Sequence, residues 1–273
     1  MIHYFSMWDK TYAHHGLTMR DSLRRHNGDV SFRVFTFERQ HIPGAMYIGD
    51  YPELQNVRDH GPKGVALFWT MEIACLKQIL DMTDPNDLCV YVDADQWFTS
   101  SVHPLYDVFQ KSHLVGLTPH HFPPGQEERE QHAGRFNYGF AIWRNSTVTK
   151  LLVYDLLQKT MSRCDANECG HQRYFDELAS GLGDAFCELP ETVNVGPWSL
   201  PVIKHDPPIY NEQRLISFHF HECRRVPNGT QCRNPAFVGD VKFNLSNYSI
   251  HESTRKCVYA PYIRELARYL PSA

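Results

Sequence analysis

The most constraining feature of the sequence is an apolar segment that ends in two aspartates. Residues 88–92, LCVYV, form a continuous apolar run of the kind that parallel sheets bury on both faces. Asp93 and Asp95 follow at once, with Ala94 between them. Ligands of open α/β sheets bind at the carboxyl ends of the strands, and two carboxylates held together there repel each other unless a cation lies nearby. Because hard divalent ions prefer oxygen ligands, the pair predicts a Mg²⁺ or Mn²⁺ site, with an anion such as a phosphate bound through the metal.

The apolar segments around this strand alternate between strand and helix patterns. Strand patterns lie at 2–6 and 31–38 and helix patterns at 13–26 and 66–80, which predicts a wound α/β sheet. Further strands are expected at 113–117, 138–143 and 214–220, further helices at 148–162, 168–180 and 259–270, and long loops at 118–136 and 221–240. The expected fold is a single α/β, Rossmann-like domain over residues 1–273, with a mainly parallel central sheet flanked by helices.

Composition narrows the classes of function. The 273 residues are 42% hydrophobic, enough for a large core, and the net charge of −4 gives no basic surface for nucleic acid. No run approaches the ~18 apolar residues of a membrane span, although peripheral association stays open. The first residues, MIHYFSMWDK, lack the basic start and apolar middle of a signal peptide. We therefore expect a cytoplasmic protein, or one of the secretory-pathway lumen if the chain is part of a longer protein.

The cysteines and the asparagine triplets leave the compartment open. The pairs Cys164/Cys169 and Cys223/Cys232 have spacings that suit disulfides in an oxidising compartment. N-x-S/T triplets, which favour the same compartment, lie at Asn145, Asn228, Asn244 and Asn247. Because such triplets often occur by chance, the reduced state is favoured.

A second cluster of candidate ligands lies far downstream. Residues 216–222, ISFHFHE, place His219 and His221 on one face of an apolar strand, near its end. Two alternating histidines are better ligand candidates than a single buried one. Imidazole added to two carboxylates suits Mn²⁺ more than Mg²⁺.

Three other functions compete with this interpretation. Phosphate-ester hydrolases with an aspartyl nucleophile also carry D-x-D after a strand, but that strand is the first of its domain, and Trp97 stands here where they have Thr or Val. A zinc-stabilised binding module would use Cys164, Cys169, His171 and Cys187, although this spacing is unlike the common C-x2-C pairs. A metal-dependent lectin would bind free sugar and no nucleotide.

Several segments, taken in order, resemble those of one known family. They are FWTMEIACLKQIL, VYVDADQWFTSSVHPLYD, VGLTPHHFP, GRFNYGFAIWRN, CGHQRYFDEL, GPWSL, HFHE and YAPYIRELARYL. Together they are similar to the metal-dependent GT-A glycosyltransferases, and within these to nucleotide-diphospho-sugar transferases related to the glycogenin-like enzymes. The similarity covers roughly residues 60–270.

The resemblance implies a nucleotide-binding half over 1–117 and an acceptor-binding half over 118–273 with a closing helix. Asp93 and Asp95 would hold the donor, by default a UDP-sugar, through the metal, and His219 would be the third ligand with His221 as fallback. The other implied contacts are Ser6, Asp9 and Tyr12 for base and ribose, Lys63 or Lys77 for phosphate, Ala94, Asn137 and Gly139 around donor and acceptor, and Gln172 for the sugar.

Two positions depart from the family's motifs. His171 stands where the family has an Asp before Gln172, and Glu222 stands where it has a Gly. His171 is therefore either a catalytic residue or a packed one, since it shares a helical face with Phe175 and Leu178.

The implied reaction breaks the anomeric C–O bond to a nucleoside diphosphate and transfers the sugar to a glycan or glycoconjugate acceptor. The cation would take up the charge of the leaving group. An inverting enzyme needs a base near the acceptor hydroxyl, for which His120, Asp176 and Glu177 are candidates, whereas a retaining enzyme needs none. The sequence leaves this choice open.

Overall fold

The fold is built around a seven-stranded sheet with helices on both faces. The computed structural model describes residues 1–39, 42, 44–163, 172–221, 223–226, 230–238 and 241–270. The strands are β1 (Ile2–Met7), β2 (Ser31–Thr36), β3 (Ala45–Tyr47), β4 (Leu88–Val92), β5 (Gln96–Phe98), β6 (Val115–Pro119), β7 (Phe136–Arg144), β8 (Phe186–Glu188), β9 (Ile209–Tyr210), β10 (Gln213–Arg214), β11 (Ser217–His219), β12 (Arg224–Val226), β13 (Pro235–Val238) and β14 (Val241–Asn244). The helices are α1 (Ala13–Asn27), α2 (Pro52–His60), α3 (Val65–Met82), α4 (His103–Val108), α5 (Glu127–Ala133), α6 (Thr147–Arg163), α7 (Gln172–Leu182), α8 (Glu252–Thr254) and α9 (Ala260–Leu266).

The strand order confirms the predicted mainly parallel sheet. The order is β3-β2-β1-β4-β7-β6-β8. The pairs β1–β2, β1–β4, β2–β3 and β6–β8 are parallel, whereas β7 runs antiparallel to both of its neighbours, β4 and β6. The carboxyl end of β4 therefore lies beside the start of β7, in the middle of the sheet.

Burial on both faces explains why β4 is a continuous apolar run. Cys89 and Tyr91 face a core cluster shared with α3 and α6, and Val90 and Val92 face the opposite cluster shared with α1. Burial of each large apolar side chain contributes about 1.5–3 kcal/mol. A polar residue within this strand would thus be costly, and the acidic residues come directly after it.

A third cluster closes the carboxyl-terminal side of the molecule. Phe218 and Phe220, at and beyond β11, pack with Phe243 of β14 and with Tyr262 of α9. The predicted closing helix is confirmed, although it begins as a π-helical turn at Arg255–Tyr259 and ends as a 3-10 turn at Ala267–Tyr269. This cluster holds β11 against β5, outside the main sheet.

Three expectations about secondary structure are corrected. The expected loop at 118–136 contains α5, and the expected loop at 221–240 contains β12 and β13. The expected strand at 214–220 is divided, because β10 pairs with β9 whereas β11 pairs with β5. Helix α5 has no buried residue, so no apolar periodicity could indicate it.

The described cysteines are free thiols, so the disulfide that the spacing of Cys223 and Cys232 would allow is not formed, and these two cysteines are in the reduced state that the sequence favoured. Asn145 and Asn244 are buried, which makes their triplets unsuitable as exposed glycosylation sites. Cys164, Cys169, His171, Glu222 and Asn228 lie outside the described residues. Across the described ranges, no helix combines the length and the apolar character needed to span a bilayer.

Candidate metal and donor site

The two aspartates lie in the turn that joins β4 to β5. The backbone N–H of Asp93 donates to the carbonyl oxygen of Gly139 on β7, at 2.9 Å, and the N–H of Gln96 donates to the carbonyl of Asp93, at 3.2 Å. The hydroxyl of Tyr91 donates to Oδ1 of Asp93, at 2.7 Å. The turn is therefore fixed on the central strands, and both carboxylates lie at the carboxyl edge of the sheet.

The histidines reach this turn because β11 pairs with β5. In that antiparallel pair His219 lies opposite Gln96, next to the aspartates. Nε2 of His219 is 3.1 Å from Oδ1 of Asp95 and 3.5 Å from Oδ2 of Asp93. One ligand atom from each of Asp95, His219 and His221 lies within 4.8 Å of the others. The two motifs, more than a hundred residues apart in the sequence, thus form one cluster.

The electrostatics of the cluster favour a positive charge among the carboxylates. Burial acts to lower the pKa of His219, but Asp95 and Asp93 outweigh it and raise that pKa. Burial acts to raise the pKa of Asp95, but the charge of His219 and its hydrogen bond hold the pKa of Asp95 well below its usual range. The pKa of Asp93 is raised, mainly by burial. A divalent cation would supply the same compensation more strongly.

The donor set fits a divalent metal ion. Two carboxylates and two imidazoles converge, which is the mixture of oxygen and nitrogen ligands that suits Mn²⁺ better than Mg²⁺. Nδ1 of His219 lies 3.0 Å from Oδ1 of Asn194, which leaves Nε2 directed at the carboxylates. Metal-ligating histidines commonly make such a second hydrogen bond through the other ring nitrogen.

A cavity of about 470 Å³ opens beside the cluster. Several residues expected from the sequence line it, namely Asp9, Tyr12, Asp93, Ala94, Asp95, Asn137, Gly139, Gln172, His219 and His221. Asp9 also accepts hydrogen bonds from the N–H groups of Thr11 and Tyr12, at 2.8 and 3.0 Å, and so fixes the loop between β1 and α1. Such a volume is in the range of small-molecule sites.

Other expected site residues do not line this cavity. Ser6 is fully buried in β1, and Lys63 is exposed. Lys77 forms ion pairs with Glu53 and Asp81 on the surface of α3. None of these three residues is part of the cavity wall beside Asp93 and Asp95.

The candidate bases also lie elsewhere. Both carboxylate oxygens of Asp176 accept from the N–H of Arg135, at 3.0 Å, and Glu177 is exposed and pairs with Lys159. Both ring nitrogens of His120 have hydrogen-bond partners, the carbonyl of Gly134 at 2.9 Å and the amide of Asn137 at 3.1 Å. His171 lies outside the described residues.

Two site residues were missed by sequence reasoning. Glu72 of α3 lines the cavity, and burial, followed by the charge of Asp93, raises its pKa well above the ordinary value. It is the only charged residue in the apolar first three turns of α3, residues 65–76, and that signal could have revealed it. Asn194 is buried behind His219, and no local pattern marks it.

Comparisons with known proteins agree with this architecture. No family model matches the chain. The uncharacterised protein YfnD of Bacillus subtilis (strain 168) is 23% identical over 293 aligned residues, covering 98% of this chain and 90% of that one. The galactosyltransferase LgtC, solved with donor and acceptor sugar analogues, has a TM-score of 0.55 at 13% identity and covers 100% of this chain and 97% of its own.

Two further solved structures extend the comparison. The apo glycosyltransferase GlyE of Streptococcus pneumoniae TIGR4 has a TM-score of 0.56 at 12% identity, over 97% of this chain and 60% of that one. A glycosyltransferase involved in the glycosylation of the major capsid of PBCV-1 has a TM-score of 0.54 at 10% identity, over 84% of this chain and 94% of that one. The protein therefore has the GT-A fold of the glycosyltransferases. At these identities the likeness defines the fold, and the chemistry must be argued from the site.

Proposed function

We propose that this protein is a metal-dependent glycosyltransferase that moves a sugar from a nucleoside-diphosphate sugar, in the first instance a UDP-sugar, to a glycan or glycoconjugate acceptor. The observation that carries the proposal is the convergence of Asp95, His219 and His221, with Asp93 beside them, at the edge of a cavity in a GT-A fold. A bound divalent cation supplies Lewis-acid stabilisation of the leaving diphosphate.

The protein's own residues have separate tasks in this proposal. The cation is held by Asp93, Asp95, His219 and His221. The loop with Asp9 and Tyr12 lines the part of the cavity that binds the nucleotide. Tyr12 is 42% exposed at the cavity, so its ring is available to a ligand.

The transferred sugar is assigned to the side of the cavity formed by α7 and β7. Oε1 of Gln172 is buried there without a hydrogen-bond partner among the described residues. An unsatisfied buried acceptor costs about 1–3 kcal/mol. A sugar hydroxyl that donates to this oxygen would remove that cost, which gives Gln172 a direct role in sugar binding.

The test is a donor screen. Incubate the protein with Mn²⁺ and a panel of nucleotide sugars, with and without glycan acceptors, and follow the release of nucleoside diphosphate. We expect release from one class of donor, abolished by EDTA and by Asp95→Asn. The matched control is Asp81→Asn, because Asp81 is an aspartate of α3 that pairs with Lys77 on the surface and should leave release unchanged.

Three outcomes would contradict the proposal. No release from any donor, with any acceptor tried, counts against transferase activity. Release that survives Asp95→Asn counts against the assigned site. Mn²⁺-dependent binding of free sugar, with no binding of UDP, would instead indicate a lectin.

A further inference from the structure

A chain of buried hydrogen bonds leads away from the proposed metal ligand His219. Nδ1 of His219 meets Oδ1 of Asn194 at 3.0 Å, and Nδ2 of Asn194 donates to Oδ1 of Asn137 at 2.8 Å. Nδ2 of Asn137 meets Nε2 of His120 at 3.1 Å, and Nδ1 of His120 meets the carbonyl oxygen of Gly134 at 2.9 Å. The four side chains His219, Asn194, Asn137 and His120 are only 2–6% exposed, so these bonds are shielded from bulk water.

For each hydrogen bond in this series, the donor and the acceptor follow from neighbouring groups that can play only one of the two roles. The carbonyl of Gly134 can only accept, so Nδ1 of His120 carries the proton and Nε2 accepts from Asn137. The backbone N–H of Gly139 donates to Oδ1 of Asn137, at 2.7 Å, which fixes the orientation of that amide independently.

Asn194 is oriented in the same way by its own neighbours. Its Nδ2 must face Oδ1 of Asn137, and Nε2 of Gln96 donates to its Oδ1. Oδ1 of Asn194 can only accept, so Nδ1 of His219 must be the donor. Nε2 therefore faces Asp93 and Asp95, and it is the ring nitrogen whose lone pair is free for a cation when that cation takes the place of a proton.

The backbone conformation and the backbone N–H of Asn194 also suit this position. Its φ is +61°, in the left-handed region, which Asn adopts more readily than most residues. Its N–H donates to Oγ of Ser217, at 2.9 Å, on the strand that also carries His219. Asn194 therefore joins the strand of His219, the strand of Gln96 and the strand of Asn137.

We propose that Asn194 is the positioning residue of the metal site: it holds His219 in the Nδ1–H tautomer and aims Nε2 at the cation. This inference rests on the proposed function, and it adds a residue for which neither the sequence motifs nor the fold comparison gives a role. Asn194 does not line the cavity. Its effect is carried by the orientation and basicity of His219.

The experiment measures Mn²⁺ binding by calorimetry in the absence of donor, so that it does not depend on activity. Asn194→Ala removes the acceptor of the His219 proton, and we expect Mn²⁺ affinity to fall about 10–100-fold. Asn194→Asp keeps an acceptor for His219 while losing the donor to Asn137, and we expect it to bind Mn²⁺ more tightly than Asn194→Ala.

The matched control is Asn145→Ala. Asn145 is equally buried, and its amide donates to the carbonyls of Leu80 and Thr83, both at 2.8 Å, near the opposite end of β4. Its loss should lower stability and leave Mn²⁺ affinity unchanged. If Asn194→Ala binds Mn²⁺ like the wild type, or Asn145→Ala loses as much affinity, the positioning role is refuted.

A second measurement needs no variant and so does not depend on whether Asn194→Ala folds. Nitrogen NMR of the imidazole of His219, with Zn²⁺ as a diamagnetic metal, should show a proton on Nδ1 and ligation through Nε2. Ligation through Nδ1 would overturn the inference. If the wild type binds neither Mn²⁺ nor Zn²⁺, the proposed metal-dependent function fails with it, whereas wild-type binding that is indifferent to Asn194 refutes the positioning role alone.

Discussion

The substitution Gly139→Ala tests how closely the site depends on the contact between β7 and His219. A Cβ at Gly139 would lie 2.6 Å from Cε1 and Nδ1 of His219, and 2.8 Å from Oδ1 of Asn137. Ordinary contacts between such atoms are about 3.5–4.0 Å, so the imidazole must retreat by roughly 1 Å. Metal sites tolerate about ±0.2 Å in ligand distance. Gly139 does not have a left-handed φ, so the contact and not the backbone causes the effect.

We expect Gly139→Ala to lower Mn²⁺ affinity at least ~10-fold and to cost about 1–3 kcal/mol of unfolding free energy from overpacking. The assays are calorimetric titration with Mn²⁺ and urea unfolding. Gly116→Ala is the control, because a Cβ there lies 3.0 Å from Phe109 and 3.1 Å from Leu189 in the apolar core. It should cost stability without changing Mn²⁺ affinity. Wild-type Mn²⁺ affinity in Gly139→Ala would refute the placement of His219.

Two further predictions concern buried titratable groups. Burial lowers the pKa of His120 to about 4, below its unfolded value near 6.5. The neutral, buried His120 therefore costs no unfolding free energy above pH 6.5, and the protein loses unfolding free energy through this group as the pH falls toward 4. His120→Gln should therefore reduce the loss of unfolding free energy between pH 7 and pH 5 by about 2 kcal/mol, and an unchanged acid limb in urea titrations would contradict this. For Glu72 the pKa is raised, by burial first and then by Asp93, so its destabilising effect is present above the unfolded pKa of about 4.3 and vanishes below it. Without metal, Glu72→Gln should melt at a higher temperature than the wild type at pH 7.5 and at the same temperature near pH 4, whereas a lower melting temperature at pH 7.5 would count against a strained carboxyl.

The sequence was sufficient for the parts of the fold that have strong apolar periodicity. Strands β1, β2 and β4 and helices α1 and α3 fill the two main clusters, so their burial is reflected directly in residue pattern. The position of the acidic turn followed from β4, because a strand buried on both faces must end where its first charged residue appears. Strands β5 and β12 have three residues each, too few to show a period, and helix α5 has no buried residue.

Site residues could be predicted from the sequence only where they belong to a short, recognisable motif. Asp93, Asp95 and His219 each belong to such a motif, and the structure brings them together. Asn194 acts through partners on β5, β7 and β11, a juxtaposition that exists only after folding. Lys77 and Asp176 show the limit of such reasoning, because each was a candidate by residue type and position, whereas in the fold Lys77 pairs with Glu53 and Asp176 accepts from the backbone of Arg135.

The most direct test of the central claim is a calorimetric titration of the wild type with Mn²⁺, with and without UDP. We expect one Mn²⁺ ion per chain, bound more tightly when UDP is present, and loss of that binding in Asp95→Asn. Absence of Mn²⁺ binding in the wild type, or binding that Asp95→Asn leaves intact, would contradict the assignment of the acidic turn and the two histidines as a cation site.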